Sequence, residues 1–207
     1  DAGSVSGNIL YNLKNGDDTN CNITINGINT YAEGLVKDAN GNYIASSNEG
    51  ITNAISDGAT IINLTQGDYI IPSSAKGKTL TFIGTGTPED VKVAVTKVGS
   101  GYENCDYGLD GSTVTFESIT ITTNSSTYIG YARCNGTYKN CVINGTYTLY
   151  GDSKFERCTF NVSGDVYNIW TWGAKNMEFD RCTFNSDGKA LLLYQEGSNT
   201  VNLTVKS

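Results

Sequence analysis

The chain has 207 residues, enough for one domain with a sizeable core and at most a short extension. Fourteen basic against 21 acidic residues leave a formal net charge of -7, which argues against a binder of nucleic-acid backbones. There is no histidine, so a Ser-His-Asp or Cys-His triad, a His-ligated zinc and a histidine proton shuttle are excluded.

No apolar run approaches the ~18 residues of a membrane helix. The Asn/Thr/Gly/Tyr-rich acidic composition suits a secreted or cell-surface protein whose signal segment has been removed. Asn-x-Ser/Thr triplets occur at Asn22, Asn63, Asn124, Asn135, Asn144, Asn161 and Asn202. In a chain this rich in Asn, Ser and Thr, chance supplies most of them, so they do not fix the source.

Along the chain, residues 15–20 read as a polar loop, and Asn22 to Ile28 alternates like a strand. Lys37 to Ile44 carries an Asn-Gly turn between two further strands. Residues 1–47 are therefore an extension that adds strands to the first coils or covers their end. Asn48 to Ile55 predicts a short amphipathic helix capped by Ser47 or Asn48. Gly58 to Ile71 predicts two strands broken at Gly67 and Asp68, and Thr79 to Gly86 predicts another.

The second half repeats itself. Phe155, Cys158, Phe160 and Asn161 match Phe179, Cys182, Phe184 and Asn185. Tyr138, Cys141, Ile143 and Asn144 fit the same frame, as do Phe116, Ile119, Ile121 and Thr122. Thr200, Leu203 and Val205 fit more weakly. The central positions 119, 141, 158, 182 and 203 are 22, 17, 24 and 21 residues apart. A period near 22 with short in-out-in strands predicts parallel stacking, one coil per repeat, at ~4.8 Å between coils. Cys141, Cys158 and Cys182 then stack inside as small core residues, with Ile143, Phe160 and Phe184 in a second inner column. Asn144, Asn161 and Asn185 are expected at a turn, with amides bonded up the stack. The even count of six cysteines also permits disulfides, although no CxxC pair exists.

These repeats, the helix and the ordered strands before them resemble the opening coils of the pectate-lyase-like superfamily of right-handed parallel β-helices. The resemblance covers about residues 48–207, and the non-catalytic bacterial surface members, adhesin-like, are the nearest kind. It implies an all-β solenoid with a short N-terminal capping helix, a coil handedness that agrees with the preference of parallel connections, and no particular activity.

Lyases of this kind use an Arg or Lys base beside calcium held by carboxylates, and that resemblance makes Arg157, Arg181, Glu156 and Asp180 candidates. The simpler reading of these four is a surface ion-pair ladder worth ~0.2–1 kcal/mol per pair. The outward column Thr120, Val142, Thr159, Thr183 and Thr204 holds neither acid nor base. Inverting hydrolysis needs only two carboxylates, which Glu156, Asp180 or Asp152 could supply. The Asp17–Asp18 pair lies outside the repeats, and the Gly84–Gly86 pair reads as a turn, since no helix or Lys-Ser/Thr follows.

A further column attracts more interest. Tyr131, Tyr150, Trp172 and Tyr194 precede the central positions by 10, 8, 10 and 9 residues, with Trp170 close by. Pointing outward, these rings form a strip for sugar faces; pointing inward, they form an ordinary core stack. The sequence thus yields three readings: a non-catalytic secreted or surface protein binding a glycan or another surface macromolecule, a calcium-dependent polysaccharide lyase or glycoside hydrolase, or a stalk fragment of a longer surface protein.

Overall fold

A computed structural model describes residues 22–25, 28–31, 35–94, 109–122, 128–187, 189–194 and 200–207. Cys21, Cys105, Asp17, Asp18 and Asn124 lie outside the described residues.

The first strands, β1 (Asn22–Ile25) and β2 (Ile28–Tyr31), form an antiparallel hairpin. It continues antiparallel into β3 (Val36–Lys37) and β4 (Tyr43–Ala45). The turn between β3 and β4 is built by Asp38, whose Oδ1 accepts the backbone N–H groups of Asn40 and Asn42, each at 2.9 Å. Gly41 supplies the left-handed residue there, at φ 81°. Helix α1 (Asn48–Ser56) follows, and the Ser47 hydroxyl caps it by accepting the Gly50 N–H at 3.0 Å. It buries Ile51, Ala54 and Ile55, a spacing that puts all three on one face, against β4 and the turn at Ser73–Ala75.

From β4 onward the pairing is parallel, and the chain winds as a solenoid of about six turns. β5 (Ile61–Leu64), β7 (Thr79–Gly84), β9 (Thr113–Glu117), β12 (Asn135–Lys139), β15 (Ser153–Glu156), β18 (Asn176–Asp180) and β21 (Asn202–Lys206) extend the first sheet. That sheet has eleven strands, including β1 to β4. The second sheet is formed by β6 (Gly67–Ile70), β8 (Val91–Ala94), β10 (Thr120–Thr122), β13 (Val142–Asn144), β16 (Thr159–Val162) and β19 (Thr183–Ser186). The third holds β11 (Tyr128–Ala132), β14 (Thr146–Leu149), β17 (Tyr167–Thr171) and β20 (Lys189–Leu193).

The interior is columnar because like residues repeat once per coil. Phe82, Phe116, Tyr138, Phe155 and Phe179 form one continuous ring column, with neighbouring centroids 4.6–5.8 Å apart. Phe160 stacks on Phe184 at 4.6 Å and meets Phe155 edge-on at 5.1 Å. Such offset-stacked and edge contacts add ~0.5–1.5 kcal/mol per pair beyond the burial itself.

Cys141, Cys158 and Cys182 stack as expected at the corner between the first two sheets. Cys134, Cys141 and Cys158 are buried, Cys182 is half-buried, and all four are free thiols. Each stacked thiol donates to a carbonyl one coil below, for example Cys158 to Tyr138 at 3.4 Å. The bond with the Cys141 side chain, reinforced by burial, pushes the Cys158 thiol up to about 12, so this residue serves as core filling and not as a thiolate.

Three details of register differ from expectation. Leu203 aligns with Met177 and Val205 with Phe179, so Thr204 stands beside Glu178 and not in the Thr120 column. A Leu-x-Val strand matches the Met-x-Phe and the Cys-x-Phe frames equally well, and only the coil length decides between them. Thr120 itself is buried, its hydroxyl donating to the Pro88 carbonyl at 2.8 Å. Finally, the amide ladder exists, with Asn161 donating to Asn144 at 2.9 Å and Asn185 to Asn161 at 2.8 Å, but its members lie in strands. The left-handed corner is one step before the cysteines, at Ser118, Asn140, Arg157 and Arg181, with φ between 50° and 54°. Asn and Ser tolerate that backbone through short polar side chains, whereas the arginines bear a conformational cost of ~1–2 kcal/mol each.

Candidate functional site

The outer face of the first sheet carries three polar columns. The first is Thr113, Asn135, Asp152, Asn176 and Asn202, on five successive rungs. Beside it run Thr115, Thr137, Lys154, Glu178 and Thr204. The third is Glu117, Lys139, Glu156, Asp180 and Lys206. Between the first two lies a groove of about 410 Å³.

Asp152 organises the groove. One of its oxygens accepts the backbone N–H groups of Lys175 and Asn176 at 2.8 and 2.9 Å, and the other accepts the Asn176 amide at 2.6 Å. Asn135 accepts the Asp152 N–H at 3.1 Å, and Asn202 donates to Asn176 at 3.0 Å. The ladder therefore links four coils. Partial burial pushes the Asp152 carboxyl up, but the three hydrogen bonds outweigh it and hold the group below the usual range. Because that folded-state pKa is depressed, the stabilisation is present above the unfolded value of ~3.9 and is lost as pH falls through the folded value. Asp152→Asn is expected to cost about 1 kcal/mol at neutral pH, less than a buried charged hydrogen bond because the site is partly exposed. Urea melts at neutral pH and near pH 3 check this: the deficit should shrink at the acidic end, and an undiminished deficit would sink the linkage.

The remaining charges pair among themselves. Glu178 accepts Lys206 at 2.8 Å and Lys154 at 3.2 Å. Arg157 meets Glu156 at 2.6 Å, and Arg181 bridges Asp180 at 2.9 Å and Glu156 at 3.4 Å. Lys206, with Lys154, holds the Glu178 carboxyl below its ordinary value, as the Arg181 guanidinium holds Asp180. The same contacts raise Arg181 and Lys206. A general acid needs a carboxyl raised towards neutrality and a Lys or Arg base needs a lowered one; these shifts run the opposite way. Among the described residues, no group of three or more Cys, Asp or Glu is placed to hold a metal ion.

The aromatic corner precedes the groove in each coil. Leu149, Thr171 and Leu193 are in register, which places Tyr150, Trp172 and Tyr194 one above another. Ile169 and Thr171 are fully buried, so Trp172 points outward and is half-buried. Trp172 and Tyr194 stack with centroids 4.6 Å apart and planes 15° from parallel. Trp170 lies 5.8 Å from Trp172, tilted by 52°, and is half-buried.

Tyr131 does not join the column. It pairs with Thr148, in the row that continues to Trp170 and Leu192. Its place below Tyr150 is taken by Arg133, whose guanidinium carbon is 5.4 Å from the Tyr150 ring centroid. The cause is the length of the corner, which uses two more residues after Trp172 than after Tyr150: Trp172 stands four before Asn176, whereas Arg133 and Tyr150 stand two before Asn135 and Asp152. The groove itself escaped the sequence reading. Its signal was a polar residue three places before the ring-column position of each first-sheet strand: Asn135, Asp152 and Asn176 stand three before Tyr138, Phe155 and Phe179, and Asn202 stands three before Val205, which takes that position on the last rung.

No helix among the described residues is long and apolar enough to cross a membrane. Compared with known proteins, the chain matches no family model, no curated protein and no solved structure.

Proposed function

We propose that this chain is a secreted or cell-surface β-solenoid of the pectate-lyase-like kind that binds a carbohydrate without cleaving it. The observation that carries the reading is the polar groove on the first sheet, together with the corner of Arg133, Tyr150, Trp172 and Tyr194 that precedes four of its five rungs in the chain. Hydroxyl and amide groups suit sugar hydroxyls, while rings suit the apolar C–H faces of sugars. One face of Trp172 and one of Tyr194 are engaged with each other, so Tyr194, 37% exposed, offers the most open ring surface and Trp172 supports it. The charge ladder favours binding over turnover, because Glu178 and Asp180 are held below and Arg181 above their ordinary values, away from what proton transfer needs.

Affinity electrophoresis through gels containing polysaccharides tests this. The protein should be retarded and the polysaccharide should remain intact. Tyr194→Ala and Trp172→Ala should each weaken retardation about tenfold or less, the size of one aromatic contact of ~0.5–1.5 kcal/mol. Shortening of the polymer would turn the reading towards a lyase or hydrolase, and wild-type mobility in every gel would overturn it.

A further inference from the structure

The chemistry of the groove narrows the ligand class, and this step rests on the carbohydrate reading above. We infer that the groove takes a neutral, hydroxyl-rich glycan laid parallel to the solenoid axis, held independently of calcium and of salt.

The first ground is which polar atoms remain open. Asp152 uses both oxygens on donors of its own chain. Glu178 uses one oxygen on two lysines, and those lysines are thereby engaged. Besides the second Glu178 oxygen, what is left along the groove is neutral: the Asn135 amide N–H, whose partner oxygen is already bonded, the Asn202 amide oxygen, and the hydroxyls of Thr113, Thr137 and Thr204. Amides and hydroxyls both donate and accept, which matches alcohol groups and offers no fixed charge to a uronate or sulfate.

Second, the groove aims no unengaged cation at an anionic polymer. Its own charges are Asp152, Glu178 and Lys154, and Lys154 is paired with Glu178, which also holds Lys206. The paired carboxylates also lack the cluster needed for calcium to bridge protein and polymer, since no three such groups converge among the described residues.

The direction of the ligand follows from geometry. The open neutral groups lie on rungs β9, β12 and β21, at the two ends of one line along the stack, with the bonded residues of β15 and β18 between them. Four steps of ~4.8 Å span ~19 Å, the reach of a few sugar units in an extended chain. At the corner, Trp172 and Tyr194 stack along the same direction, and Arg133 lies over the Tyr150 ring.

The test uses the whole chain in gels holding hydroxyethylcellulose or xylan as neutral probes, and polygalacturonate or alginate as acidic ones, each with calcium or with a chelator. Neutral gels should retard the protein and acidic gels should not. The dissociation constant on the neutral probe should change by less than about twofold between low and high salt, because screening acts only on charge pairs. Thr137→Lys, which adds a charge to the exposed groove without truncating core, should shift preference towards the acidic polymer while leaving the far-UV circular dichroism unchanged. Retardation by the acidic polymers alone, equally by both classes, or only with calcium would overturn the inference and leave the carbohydrate reading standing. Free migration in all gels would overturn both.

Discussion

Truncating Phe155 to alanine is expected to cost about 3–5 kcal/mol, the range for removing a buried aromatic side chain. Phe155 is fully buried and sits inside the ring column, 4.6 Å from Tyr138 and 5.2 Å from Phe179. Phe160 meets it edge-on from the second sheet. The cavity would open between two coils that each contact only their neighbours, so little surrounding structure can collapse into it. Phe155→Leu, which retains much of the volume, should cost less than about 2 kcal/mol. Phe184→Ala provides the contrast: Phe184 is half-buried on the last strand of the second sheet, and its loss should be smaller than that of Phe155. Urea unfolding followed by circular dichroism measures all three. A Phe155→Ala deficit below about 1 kcal/mol would contradict a packed column.

The same column explains why the fold was legible. Each coil reuses Phe or Tyr, then Cys, then Phe or Ile at fixed offsets, and a repeated offset in sequence becomes a stack in space once the strands are parallel. The cap was legible too, because Ser47 and the Ile51, Ala54 and Ile55 spacing are local signals. Register at the last rung was not, since an apolar-polar-apolar strand such as Leu203 to Val205 fits two columns and the choice depends on how many residues the preceding corner uses. The aromatic corner failed at one position for the same reason. Counting back from Cys141 reaches Tyr131, whereas counting forward along the paired strands reaches Arg133. The polar groove was hidden for a different reason. Its residues, Asn135, Asp152, Asn176 and Asn202, are chemically unlike one another only at Asp152, and in a chain with 23 Asn they do not stand out until pairing places them on successive rungs.

Gly151→Ala is expected to be as damaging to the groove as Phe155→Ala is to the core, although it adds one methyl group. A Cβ on Gly151 would overlap the carbonyl oxygen of Cys134 and press on the Asn135 N–H, both backbone atoms of the coil below. Gly151 is not among the left-handed residues, so its dihedral freedom is not the reason for glycine here. The reason is distance: the backbone of the coil below comes close at this corner, and backbone atoms cannot move aside as a side-chain tip can. Overpacking of this sort costs about 1–3 kcal/mol, and the upper end applies where the obstacle is backbone. Gly164→Ala is the control. Its φ is +85° and a Cβ there meets nothing within 4 Å, so only the left-handed penalty of ~1 kcal/mol applies. Thermal unfolding of the two variants should separate them, with Gly151→Ala the less stable. If Gly151→Ala folds, its displaced coil carries Tyr150 on one side and Asp152 on the other, and Asp152 is the residue through which Asn135 and Asn176 are joined. Retention on the neutral polysaccharide should therefore fall in Gly151→Ala and be unchanged in Gly164→Ala. Equal stability and equal retention in the two variants would mean that the close approach of the coils at Gly151 does not set the position of the groove.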